Sequence, residues 1–184
     1  MLSLLAAVIL CAEPVVVVRP FEVMSSDPAD ANLGRAMQSL VEADLKTAGL
    51  TLRIDETPEP KADTKLLAAS HLVLGSLVAL HGRVKLAVRV VEVPNTTIAT
   101  ASAVLFAGDW NGRQPITNAV LQAFKKPAPL GTEQLRVDDA LLRAWGDALQ
   151  ALEKADPAAA KKKVADVVKR WPDFTPAKER LARL

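Results

Sequence analysis

The residues of this 184-residue chain with chemistry to offer are His71, His81, Ser76, the acids Glu22, Asp27 and Asp30, and the lone Cys11. Hydrolytic acyl transfer needs a nucleophile on a strained strand-to-helix turn, with a histidine and an acid converging on it. Ser76 follows Gly75, but the run Gly75-Ser76-Leu77-Val78-Ala79 lacks the second glycine of such an elbow and falls inside a strand pattern. Gly75 is expected instead to admit close packing of a helix or neighbouring strand. His71 and His81 stand at opposite ends of one predicted strand, roughly 33 Å apart if it is straight, too far to share a metal. Glu22, Asp27 and Asp30 could coordinate Ca²⁺ or Mg²⁺. Asp27 before Pro28, with Asp30 in the first turn, reads more simply as helix capping. Neither GxGxxG nor GxxxxGK[ST] occurs, so a glycine-rich phosphate cradle is not expected. Cys11 alone cannot form an intrachain disulfide. The expectation is a protein without catalytic residues, metal or cofactor, and not an enzyme.

The elements that would carry these residues read as a mixed α/β (α+β) fold. Val15 to Val18 is an apolar, β-branched run suited to a buried strand, ending at Arg19-Pro20-Phe21. Glu22 to Asp30 reads as a loop into a helix. Along that helix Leu33, Ala36, Met37, Leu40, Val41, Leu45 and Ala48 form a stripe at helical spacing, and Gly49 ends it. Asp44 lies within the stripe's arc and is expected at its water-accessible edge. Leu50 to Ile54 is a second strand. A loop with Pro58 and Pro60 leads into a short helix through Ser70.

His71 to Ala107 reads as three consecutive antiparallel strands. Val84, Leu86, Val88 and Val90 alternate with Lys85, Ala87 and Arg89, which implies a sheet with one covered face. A helix from Gln114 to about Lys125 follows. The whole predicts a five-stranded mixed sheet in the order β-α-β-α-β-β-β-α, backed by helices. Pro127, Pro129 and Gly131 mark a linker over 127–132 after an α/β domain of 13–126. Residues 133–184 are rich in Ala, Leu, Lys and Arg and predict helices over Val137–Lys154, Pro157–Arg170 and Pro176–Leu184.

Composition narrows the partners. Half of the residues are hydrophobic, ample for a core, and the formal net charge is only +2. Tyr is absent and the only basic run is Lys161-Lys162-Lys163, which argues against a nucleic-acid binder with its basic patch and stacking platforms. Leu2 to Leu10 is an apolar run of signal-peptide size, too short to span a bilayer as a helix. It predicts residues 1–12 as an export signal cleaved after Ala12. No Lys or Arg precedes the run, as an export signal would ordinarily have. Cleavage before Cys11 would instead leave a lipidated cysteine, but Leu10 stands where a small residue is preferred, making this the lesser branch. The expected location is the periplasm or the outer-membrane periphery.

A family resemblance rests on Val16-Val17-Val18-Arg19-Pro20-Phe21 as an opening strand, Leu72-Val73-Leu74-Gly75-Ser76-Leu77 as a strand carrying Gly-Ser, and the Arg83–Val93 and Thr96–Ala103 strands joined by a polar turn. Together they resemble the amino-terminal domain of TolB and the related FlgO and CsgG-type envelope domains, over about Val15 to Lys125. The relatives' turn glycine is replaced here by Pro94-Asn95-Thr96. The tail resembles a tetratricopeptide repeat, with Ala148 and Ala160 at its small positions and Pro172 at its terminal one. Ala151 stands where the repeat has a large aromatic. A single repeat cannot stand alone as a solenoid, so the tail is expected to pack on the sheet domain, another copy or a partner. What the resemblance implies is work within envelope assemblies.

The surface residues singled out for contact are Trp110 in the loop Gly108–Gly112, Trp171, and Lys161, Lys162 and Lys163 for an acidic partner or anionic lipid. Trp145 is expected between the tail helices. The functional expectation is a non-enzymatic exported envelope protein, acting as a scaffold for other envelope proteins through the tail groove and the loops Glu22–Asp30 and Gly108–Gly112. Peripheral membrane association and homo-oligomerisation are both compatible with it. The rival expectation is a small-ligand sensor, its ligand at the sheet's carboxyl edge near Phe21 to Ser26.

Overall fold

A computed structural model describes residues 14–53, 69–80, 82–93, 96–106, 108–127, 137–154 and 156–184. The expected export signal with Cys11, the helix expected before Ser70 except for Ala69, His81, Pro94-Asn95 and the expected linker residues 128–132 lie outside the described residues. The strands are β1 (Val16–Val18), β2 (Glu22–Met24), β3 (His71–Leu80), β4 (Arg83–Glu92) and β5 (Thr96–Phe106). The helices are α1 (Leu33–Thr47), α2 (Gln114–Ala123), α3 (Asp139–Glu153), α4 (Pro157–Arg170) and α5 (Thr175–Leu181), with 3₁₀ turns at Pro28–Asp30 and Trp110–Arg113.

The five-stranded mixed sheet runs β1-β3-β4-β5, with β2 also paired to β3. Both β1 and β2 lie parallel to β3, one after the other along the same edge. Val18 is opposite Val73 and Glu22 opposite Ser76, so four steps on one strand meet three on the other. The extra residue is a bulge at Arg19-Pro20-Phe21, a place where a proline costs no ladder hydrogen bond. Glu22–Met24, read from sequence as loop, is therefore the sheet's fifth strand. Of Leu50–Ile54, read as a strand, the described residues 50–53 show a bridge from Leu52 to Val16 and a hydrogen bond from Arg53 N–H to the Val16 carbonyl at 2.8 Å.

The bulge turns Phe21 inward, and two glycines make room for it. A Cβ on Gly75 would stand 2.4 Å from the Phe21 ring, and one on Gly34 would stand 2.1 Å from the Phe21 carbonyl oxygen. The close approach that Gly75 permits is thus to a ring delivered by the neighbouring strand. Phe21 N–H donates to the Gly34 carbonyl at 3.3 Å, which fixes the start of α1 against the sheet.

β4 shows why the sheet is one-sided. Val84, Leu86, Val88 and Val90 are buried, while Arg83, Lys85 and Arg89 are exposed, matching the alternation in the sequence. α1 covers β1–β3 and α2 covers β4 and β5 on the same face. The stripe Leu33, Ala36, Met37, Leu40, Val41 and Leu45 is buried, Asp44 is buried against Arg113, and Gln38 and Glu42 are buried as well because α1 has a further side covered. That second cover is the tail.

α3 and α4 form a hairpin in which Ala148 and Ala160 are fully buried, with α5 folding back beside them. Asp138 caps α3 by accepting from Leu141 N–H at 2.6 Å, and Asp156 caps α4 by accepting from Ala159 N–H at 3.0 Å. Gly146 lets α3 approach the Asn32 carbonyl, which a Cβ there would meet at 2.6 Å. Trp145 and Phe174 meet edge to face with centroids 5.5 Å apart, and the tail's apolar residues join the same core as those of the sheet. Of the three destinations open to the tail, it takes the sheet domain's α1.

Candidate functional site

The surfaces expected to dock partners are built differently from that expectation. Trp110 is only 1% exposed, and its indole N–H donates to Asp139 Oδ1 at 3.1 Å. The loop around it is a clamp: Gly112 lies against Leu105, and Arg113 reaches back to the Trp110 carbonyl at 3.1 Å. Arg113 is itself fully buried, donating to Asp44 Oδ2 at 2.9 Å and Oδ1 at 3.0 Å, with Thr117 Oγ1 on the same carboxylate at 3.3 Å. Asp44 therefore does not reach water at the stripe's edge. It is a buried anion held by a buried cation, and the pair pins α1 to the start of α2. Arg113 escaped the sequence reading. Its only signal was an aspartate inside an apolar arc, which demands a partner from elsewhere in the chain.

The tail packs on α1 around a cleft of about 200 Å³ lined by Arg35, Glu42, Leu149, Glu153 and Arg180. Asn32 Nδ2 donates to Asp147 Oδ1 at 2.6 Å, Arg35 pairs with Glu153, and Arg143 pairs with Asp30 at 2.9 Å, all tying α1 and its approach to α3. Asp27 caps the first 3₁₀ turn by accepting from Ala29 N–H at 2.8 Å, and Asp30 also accepts from Ser25 Oγ at 2.6 Å. Asp27 and Asp30 thus have protein partners and Glu22 lies apart on β2, while a cavity of about 330 Å³ opens beside Ser25, Asp27 and Asp30, bounded by Arg83, Trp110 and Arg143. At the same α1–tail contact Glu42 is buried and its carboxyl is pushed up to about 7, chiefly by desolvation, against the opposing pull of the Gln38 amide and the nearby Lys46.

Lys161, Lys162 and Lys163 project from the outer face of α4, where Lys163 also reaches the Asp147 carbonyl at 3.4 Å. Trp171 is half-buried under the Arg170 guanidinium, 4.7 Å from the ring centre, and donates to Asp138 Oδ2 at 3.4 Å. Pro172 is exposed just past α4. His71 stacks edge-on against Phe124 at 4.8 Å, with Ser70 Oγ 2.8 Å from its Nδ1; the same hydroxyl lies 3.1 Å from the Val15 carbonyl, to which it donates. Ser76 stands across from Ala87 on β4 and Glu22 on β2, a sheet position remote from that histidine.

A further candidate surface is the other face of the sheet. There the register sets Met24, Val78, Lys85 and Val104 in one row across four strands, and Glu22, Ser76, Ala87 and Ser102 in the next. Leu74, Arg89 and Thr100 make a third. Met24 is 55% exposed, Val104 66% and Phe106 68%, and the Arg83 guanidinium sits 5.9 Å over the Phe106 ring. Among the described residues no helix covers this face. A shallow depression crosses it, lined by Arg19, Glu22, Leu74, Ser76, Lys85 and Arg89. Chemically it combines apolar contact area with a surplus of fixed positive charge around one carboxylate. Exposed apolar residues grouped in this way mark contact surfaces.

No protein-family model matches the chain, and no curated protein matches it. Solved structures do resemble it in shape. A variant PelC dodecamer from Paraburkholderia phytofirmans is similar at 16% identity and a TM-score of 0.43, over 62% of this chain and 90% of that one. TolB from Acinetobacter baumannii is similar at 15% identity and a TM-score of 0.44, over 61% of this chain and 28% of that one. Lipoprotein GNA1162 from Neisseria meningitidis is similar at 16% identity and a TM-score of 0.38, over 61% of this chain and 94% of that one. Likeness at this level concerns shape alone, so function is argued from the surface described above.

Proposed function

We propose that this chain is a non-enzymatic, exported bacterial envelope protein that serves as a protein–protein interaction scaffold, docking the surface of another envelope protein on the open face of its sheet. The observation that carries this reading is the one-sidedness of the sheet. Among the described residues the helices sit on one face, and the other presents Met24, Val104 and Phe106 to solvent beside Lys85 and Arg89, with Val17 and Val91 buried at its β1 end. A partner suited to it has an apolar centre and an acidic rim, since Arg83, Lys85 and Arg89 are the exposed charges of β4 on this face. The helical tail acts as a brace behind α1. The envelope location rests on the apolar run Leu2–Leu10 and on the sequence resemblance to TolB amino-terminal, FlgO and CsgG-type domains, with a tetratricopeptide-like tail.

The reading is tested by fractionating cells that express the full chain and weighing the intact product. Recovery from periplasm or outer membrane with a mass fitting loss of the leader supports it. An unprocessed cytosolic species overturns the envelope assignment.

A further inference from the structure

We infer that β5 is a self-assembly edge: two copies of this chain pair their β5 strands antiparallel and join their sheets into one. The inference is independent of the docking reading above, because it uses the edge of the sheet where that reading uses its face. β5 ends the strand order, and among the described residues nothing pairs with its outer side. An outer strand presents a row of unpaired N–H and C=O groups, which folded proteins ordinarily blunt with short length, charge or proline.

β5 has none of these three. At 11 residues it is the longest strand described, and its sequence TTIATASAVLF holds no charged residue, proline or glycine. One irregularity, where the register slips between Val90 and Val91 of β4, falls at its beginning and leaves Ala99–Phe106 as a straight ladder. Thr100, Ser102, Val104 and Phe106 project to the open face, with Ala99, Ala101, Ala103 and Leu105 toward the core. These are β-branched, aromatic or small residues that suit a strand with neighbours on both sides.

Neutrality selects a second copy as the occupant. A strand without charge meets its own two-fold mate in any same-face register with no like charges opposed, while a charged edge would find no counter-charge on β5. The exposed cations Lys85 and Arg89 lie one strand further in. In a β5–β5 pair they face their counterparts across three strand spacings, roughly 14 Å, beyond a screening length of about 8 Å at physiological salt. Such a two-fold contact is isologous and closes at a dimer, leaving both open faces on one continuous surface.

The experiment uses the full chain with Cys11→Ser, to exclude adventitious disulfides, and measures mass by analytical ultracentrifugation over a concentration series. The expected result is a dimer that Ser102→Lys reduces to monomer, with circular dichroism and thermal midpoint measured on both forms at low concentration and found equal. Met24→Lys, on the same face but away from β5, should remain dimeric. A wild-type chain that stays monomeric throughout the series overturns the inference. So does a Ser102→Lys variant with undiminished mass, or a Met24→Lys variant that dissociates as fully as Ser102→Lys.

Discussion

Arg113 grips Asp44 with two hydrogen bonds, 2.9 and 3.0 Å long, and both side chains are withdrawn from water. The contact joins residues from distant parts of the sequence and holds α1, the helix between sheet and tail, to the turn that starts α2. Breaking one side of a buried pair costs about 3–5 kcal/mol, because the other charge is left without a partner. Arg113→Met and Asp44→Asn should each destabilise by that order in urea unfolding. Replacing both with apolar residues should cost clearly less than the two single losses together; an additive double variant would show that the pair is not coupled.

Gly34 is the second point of strict fit. A Cβ there would lie 2.1 Å from the Phe21 carbonyl oxygen, a backbone atom that cannot swing away. Gly34→Ala should therefore destabilise by about 2 kcal/mol or more through displacement of α1 from the bulge. The check is the thermal midpoint, with a drop of roughly 4–8 °C expected for a chain of this size. Unchanged melting would mean that the bulge adjusts freely.

Glu42 makes stability fall with rising pH. Its carboxyl is raised from 4.5 to about 7 in the folded chain, so between those values the folded state holds a proton that the unfolded state has released. The stabilisation is complete below about pH 4.5 and is lost as pH rises through about 7, a change on the order of 3 kcal/mol at about 1.4 kcal/mol per unit. Glu42→Gln keeps the hydrogen bond from the Gln38 amide, 3.0 Å long in the wild type, and removes the charge. The variant should gain midpoint temperature over wild type at pH 8 and little at pH 5. An equal difference at both values would contradict the assignment.

Much of this architecture was legible because local patterns are strong where one face of an element is buried. The alternation in β4 and the stripe on α1 both translated directly into buried residues, and Pro157 marked the start of α4. Glu22–Met24 was missed because three residues after a proline bulge carry no alternation of their own; β3 induces the strand. Leu50–Arg53, strand-like in composition, makes a parallel bridge to Val16 through Leu52. The site was harder to read. Trp110 looks like a surface tryptophan until Asp139, 29 positions away, accepts its N–H. The open face itself leaves a faint trace, since Lys85 and Arg89 announce an exposed side of β4 but not that, among the described residues, no helix covers it.

The central claim is that partners dock on the face of the sheet opposite α1 and α2, and in-cell photocrosslinking tests it most directly. A benzophenone side chain placed at Met24 or Lys85, both exposed on that face, should yield a covalent adduct with another envelope protein, while the same probe at Lys162 on α4 should not. Adducts at Lys162 with none at Met24 or Lys85 would contradict the account.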